Sequence, residues 1–184
     1  EGSYGITMEN NLVYACKNSG FHQHYGKENI IRNNIFALNI RSQLQATRIE
    51  EHRSLSFTNN IIYFDRGTLL SSNWHKFNLY TDKNIYWDTR TKDIRFGDKS
   101  FAEWQKSGKD IHSIIADPMF VNPSAFDFHL KKNSVAKKIG FVPWDYLAAG
   151  VYGPEEWKNL AKFDAGLEKK FDNIVNQSEI KTLK

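Results

Sequence analysis

An asparagine that returns at a nearly fixed step constrains the fold of this chain more than any other feature. The segments Ile6–Tyr14, Ile30–Ala37, Leu55–Tyr63 and Leu79–Trp87 align on one another, and the second polar corner residue of each is Asn11, Asn34, Asn60 and Asn84. The steps are 23, 26 and 24 residues. Each unit reads as a short alternating strand, a polar corner, and a second short strand rich in Ile, Val, Tyr and Trp. Asn suits the corner because it tolerates left-handed backbone and can bond its own chain. Stacked units would place each corner Asn over the next at about 4.8 Å, close enough for side-chain amides to form a ladder. A unit this short cannot bury its apolar side alone, so the units must coil on one another. The Leu-x-x-Leu-x-Leu spacing of a leucine-rich repeat is absent. The expected fold is therefore all-β, a right-handed single-stranded parallel β-helix of about four coils.

Between the corners lies a longer segment that should hold a third strand in each coil: Gly20–Tyr25, Gln43–Arg48 and Thr68–Trp74. The repeat weakens after Trp87. Residues 89–113 read as an insertion with a short helix around 101–105, and Asp117–Phe120 with Asp127–Leu130 as a final, irregular coil. From Pro154 the pattern becomes helical, with Trp157, Leu160, Phe163, Leu167, Phe171 and Ile174 on one stripe. The expected division is a solenoid over 1–153 and a helical tail or cap over 154–184. At 184 residues and 40% hydrophobic content the chain can form a real core, while its short apolar runs argue against a membrane span. The net charge of +4 is dispersed, which argues against a nucleic-acid partner. A single cysteine, Cys16, excludes an internal disulfide or a cysteine-based zinc site. Neither a signal peptide nor an initiator Met opens the sequence, so the chain is expected to be a processed or excised piece of something longer.

Gly20–Gly26 followed by Ile30–Ala37 resembles the C-terminal coils of pectate-lyase-like β-helix proteins of gut Bacteroidota, nearest to glycoside hydrolase family 141. Asp110–Ser113, Ala116–Phe120, Asp127–Leu130, Ser134–Ala136, Gly140–Phe141 and Gly150–Gly153 extend the likeness, which covers residues 1 to 153. The resemblance implies α-L-fucosidase or xylanase-like activity on complex plant or host polysaccharide. It also implies a groove over one parallel sheet, a secreted, periplasmic or cell-surface location, and upstream β-helix coils in a longer parent chain.

Alternation along Phe21–Tyr25 puts His22 and His24 on one face and Phe21, Gln23 and Tyr25 on the other. On the next coil Leu44 and Ala46 face inward, leaving Gln43, Gln45 and Thr47 outward, with Arg48 beginning the turn. The third coil offers Asn73 and Trp74. Forked donors for hydroxyls and carboxylates beside a flat ring suit a sugar, so His22, Gln45, Arg48, Asn73 and Trp74 are candidate substrate contacts. Each has a plainer reading: exposed or ladder histidines, a surface ion pair of Arg48 with Glu50 or Glu51, a core Trp74. The Asn corners, Tyr86 and Trp87 read as structural.

Glycoside hydrolysis needs two carboxyl groups, about 5–5.5 Å apart for retention or about 6.5–9.5 Å for inversion. Glu28, Glu50, Glu51 and Asp65 are within reach of the groove, with Glu1 at its edge. Adjacent strand residues point oppositely, so Glu50 and Glu51 cannot both serve. Glu51 or Glu28 is the expected acid, with His24 as a further catalytic candidate. Elimination on a uronate would instead use a base among His22, His24 and Arg48, with Ca²⁺ or another cation acidifying the proton. No calcium-loop cluster of acids is present, and His22-x-His24 lacks a third zinc ligand, so no metal site is expected. A glycoside hydrolase is the first reading; a polysaccharide lyase and a non-catalytic glycan-binding module are the alternatives.

Overall fold

The computed structural model describes residues 2–162 and 164–182 and divides into two compact units, one through Trp144 and one from Asp145. The first is a parallel β-solenoid built of three sheets that run the length of its coils. The first sheet stacks Thr7–Glu9, Asn29–Arg32, Leu55–Thr58 and Leu79–Asp82. The second stacks Leu12–Tyr14, Ile35–Ala37, Ile61–Phe64, Ile85–Asp88 and Ile114–Ile115. The third stacks Ser19–Gln23, Ser42–Ala46 and Thr68–Ser72.

Register places like over like. Val13, Phe36, Ile62, Tyr86 and Ile115 form one inward column and Phe21, Leu44 and Leu70 another. Phe36, Leu44, Leu55, Phe57, Ile62 and Phe64 are all buried in the resulting core.

The two corner positions divide their work. The first takes left-handed backbone, at Asn10, Asn33, Asn59 and Lys83. The second turns its amide into the core as a ladder. Asn11 donates from its backbone N (2.9 Å) and Nδ2 (3.0 Å) to Asn34 Oδ1, Asn34 does the same to Asn60 (2.9 and 3.0 Å), and Asn60 to Asn84 (2.9 and 3.3 Å). The ladder therefore has a direction, each coil donating to the one after it.

Residues 89–113 form a plug at the end of the ladder rather than a bystander insertion. The helix Phe101–Lys106 starts at a Ser100–Glu103 capping box and buries Trp104. Phe96 stacks on Phe101 and Trp104 (5.2 and 5.5 Å between centroids) and meets Tyr86 edge-on at 5.0 Å. Phe120–Asn122 and Asp127–Leu130 depart from the expected further coil: they pair antiparallel as a hairpin. Pro123–Ala125 and a left-handed Phe126 turn the chain back too tightly for a parallel crossover. The hairpin lies on the outer face of the second sheet, Phe126 4.9 Å from Tyr14 and Phe120 5.4 Å from Tyr63. The chain then runs along the corner, where Asn33 exchanges two hydrogen bonds with Val142 and Asn59 donates to Ile139 O.

The unit from Asp145 carries the helices Glu155–Leu160 and Ala165–Thr182. Trp157, Leu160, Leu167, Phe171 and Ile174 are exposed; Phe163 lies outside the described residues. No helix among the described residues is long and apolar enough to cross a membrane.

Candidate functional site

The outward row of the third sheet stacks His22 on Gln45 and Gln45 on Ser71. Where its strands end, Thr47 becomes a hub: His22 Nε2 lies 2.8 Å and His24 Nδ1 2.7 Å from its Oγ1. A hydroxyl has one proton to give, so at least one of the two imidazoles donates to it. The Tyr25 ring meets His24 edge-on at 4.5 Å. Over that ring, at 4.1 Å, lies the Arg48 guanidinium, which also donates from Nη1 to the Tyr25 hydroxyl. Arg48 Nε stands 3.0 Å from Glu50 Oε1, yet that oxygen, itself buried, accepts no hydrogen bond. The contact is one of charge and proximity rather than of aligned donor and acceptor.

Neighbouring coils hold the strand through further side-chain bonds. Asn73 Nδ2 donates to Thr47 O at 3.2 Å, and Gln45 bridges Ser19 and Ser72 across neighbouring coils. The hydroxyls of Ser19, Ser42 and Ser71 run as a chain at 2.9 Å per step. Beside the hub a cleft of about 450 Å³ is lined by Ser3, His22, Gln23, His24, Tyr25 and Asn29. Gln23 is 7% exposed, and its Nε2 has no hydrogen-bond partner. The amide lies against Gly26, where a Cβ would sit 2.1 Å from Nε2 and force it out.

His22, His24, Gln45 and Arg48 thus come together, and Asn73 adjoins them by donating to the Thr47 carbonyl. Three candidates do not join them. Trp74 is 2% exposed and packs edge-on against Phe21 (5.9 Å) and Phe57 (5.5 Å), so it offers no platform to a sugar. The turn at Asn73–Lys76 folds the indole back under the sheet. Glu28 sits on a left-handed turn with its carboxylate on Arg53 at 2.6 Å. Glu51 lies exposed on the following loop, its carbonyl accepting from Asn78. Gln43, expected outward, is fully buried and bonds the backbone and side chain of Asn39, closing the preceding turn.

Three further residues join the cluster that the sequence does not mark as contacts: Thr47, outward by alternation, Glu50, within reach of the groove, and Tyr25, which alternation puts on the face opposite His24. Thr47 follows Gln45 on the same alternation and is legible from spacing. Tyr25 and Glu50 sit past the strand ends, where period-2 reasoning lapses. Chemically the cluster offers two imidazoles, a hydroxyl hub, a guanidinium beside a carboxylate, and a phenol ring. Such a set of groups can donate and accept hydrogen bonds in several directions, and an imidazole is a group able to take up a proton. Comparison with protein-family models, with curated proteins and with solved structures yields no match to this chain.

Proposed function

We propose that the outer face of the third sheet binds a polysaccharide, with His22, His24, Thr47, Gln45, Tyr25 and Arg48 as its contacts. The observation that carries this reading is the convergence of His22 and His24 on Thr47 with Arg48 fixed over Tyr25 alongside. Polar side chains held by one another on a flat sheet meet a sugar at little ordering cost. Such a ligand puts the protein outside the cytoplasm, in the periplasm or at a cell surface. The test is affinity electrophoresis and calorimetry on pectic, xylan and fucosylated glycans. Arg48→Ala and the double variant His22→Ala/His24→Ala are each expected to weaken binding about tenfold or more. Retention of wild-type affinity in both variants, or failure of every glycan to bind the parent, overturns the reading.

A glycoside hydrolase is the second reading, favoured by Glu50, whose buried oxygen lacks a hydrogen bond inside the cluster. In that reading Glu50 takes the acid's place in preference to Glu51 or Glu28. Reducing ends released by the parent and abolished in Glu50→Gln would support it. Unsaturated uronate in the products would move the chemistry to elimination, with His24 as base and Arg48 on the uronate carboxylate.

A further inference from the structure

Arg48 is the guanidinium of the cluster around Thr47, and a ligand carboxylate docking there would turn to it first. Its own neighbours already use it from three sides. Tyr25 covers one face of its plane at 4.1 Å, the Tyr25 hydroxyl accepts from Nη1, and Glu50 Oε1 stands 3.0 Å from Nε. Glu50 in turn depends on that proximity. Its Oε1 is buried and accepts no hydrogen bond among the described residues, so the Arg48 charge is what makes its burial tolerable. The next guanidinium along the same loop, Arg53, is spent in the same way: Nε and Nη2 both donate to Glu28 Oε2, at 3.1 and 2.6 Å. Ser3, His22, Gln23, His24, Tyr25 and Asn29 line the cleft alongside, with no carboxylate, lysine or arginine among them.

We propose, on the glycan-binding reading above, that Glu50 sets the sugar class of this surface: it admits neutral glycans and turns uronates away.

A uronate carboxylate has to come to Arg48, and so within reach of Glu50. It meets a guanidinium whose charge Glu50 already matches and whose face Tyr25 already takes, and it gains little attraction there. If it draws Arg48 onto itself, Glu50 Oε1 is left buried with neither a hydrogen bond nor a countercharge, and breaking a pair in that way is costly. A neutral sugar makes no such demand. Its hydroxyls take the hydrogen-bonding capacity that remains at the guanidinium edge, at Thr47 and at the imidazoles, and they leave the ion pair intact. Selectivity built from a charge that the wrong ligand leaves unpaired needs no added contact with the right one. An ion pair that only fastened the loop would affect every glycan alike.

The test compares ligands that differ in little but charge. Oligogalacturonides are used as free acids and as methyl esters, and glucuronoxylan oligomers before and after reduction of the carboxyl group, by calorimetry at pH 7 on the full chain. The wild type is expected to bind the uncharged member of whichever pair it recognises at least about tenfold more tightly than the charged one. Glu50→Gln keeps the shape of the side chain and removes its charge. It should collapse that preference, bringing the two members to within about threefold of each other. A wild type that prefers the uronate overturns the proposal without recourse to any variant. So does a preference that Glu50→Gln leaves unchanged while both affinities fall together, since Glu50 then only fastens the loop. Failure of every glycan, charged or not, overturns the binding reading itself and this selection with it, an outcome distinct from a reversed preference.

Discussion

The two ends of the ladder solve the same problem in opposite states of completion. At the closed end the final amide, Asn84, meets Ser113 Oγ and Asp110, and Asp110 is 1% exposed. That one carboxylate accepts from Thr81 (3.0 Å), Asn84 (3.0 Å), Tyr86 (3.1 Å), Trp104 Nε1 (2.7 Å) and Ser113 (2.5 Å). Its burial is tolerable only because every donor converges on it. Burial and Asp110 together push the Tyr86 hydroxyl well above its ordinary pKa, so it stays a donor. At the open end the first amide has an acceptor to spare, and partly exposed apolar residues stand in place of the aromatic plug. A directional ladder needs an acceptor to finish and a donor to begin.

Breaking the closed end should therefore cost most. Asp110→Ala strands several buried donors at once and is expected to lower unfolding free energy by about 3–5 kcal/mol in urea titration. Asn11→Ala, at the open end, removes two hydrogen bonds that are not fully buried and should cost about 1 kcal/mol. Equal losses would dissolve the contrast between the ends. The middle of the ladder should fall between them. Asn60→Ala leaves the Asn34 backbone N without its acceptor in a fully buried corner, although Asn34 Nδ2 keeps Met8 O and Arg32 O. It also removes the Asn60 amide's own bonds to Ile31 O and Asn84, an expected loss of about 2 kcal/mol.

The same contrast shows what could be read from sequence. Asn11, Asn34, Asn60 and Asn84 announce the coil because a ladder demands one residue type at one step, and strand alternation then supplies the sheets. The closing residue escapes notice for the opposite reason. Asp110 occurs once, on a loop, and its meaning depends on Trp104, Tyr86 and Thr81 arriving from three other places in the chain. The site divides likewise. His22 and Gln45 follow from alternation within strands, His24 from that alternation carried one residue past the strand, and Arg48 from its place beyond a strand end. Trp74 defeats that reasoning because a turn sets its direction, and Gln43, although inside the strand Ser42–Ala46, because its amide is drawn in to close the turn at Asn39. Aromatic and amide side chains at such turns serve the core as readily as the surface, and only packing against Phe21 or Asn39 decides.

Acid should find the closed end first, though with a smaller effect than any of the ladder substitutions. Two buried carboxylates in the fourth coil hold that region to its neighbours. Asp82 accepts from the backbone N and Nδ1 of His112, both at 2.7 Å, and Asp88 receives Arg90 Nε at 2.8 Å and Nη2 at 2.7 Å, while Arg90 also reaches Gly67 O. Burial works to raise both carboxyl groups, but the His112 donors on Asp82 and the Arg90 donors on Asp88 outweigh it, leaving each below its ordinary value of 3.8. A folded-state pKa below the unfolded one contributes stability that is complete above about pH 4 and is lost as the pH falls through the folded value. Amide exchange followed from pH 6 down to pH 3 should therefore show protection at Asp82–Asp88 and Ser113–Ile115 falling before that at Ile35–Ala37. Asp88→Asn should flatten the acid limb of the closed end and leave the second coil as it was. The reverse order of loss, with Ile35–Ala37 opening first, would show that Asp82 and Asp88 do not govern the acid response of the closed end.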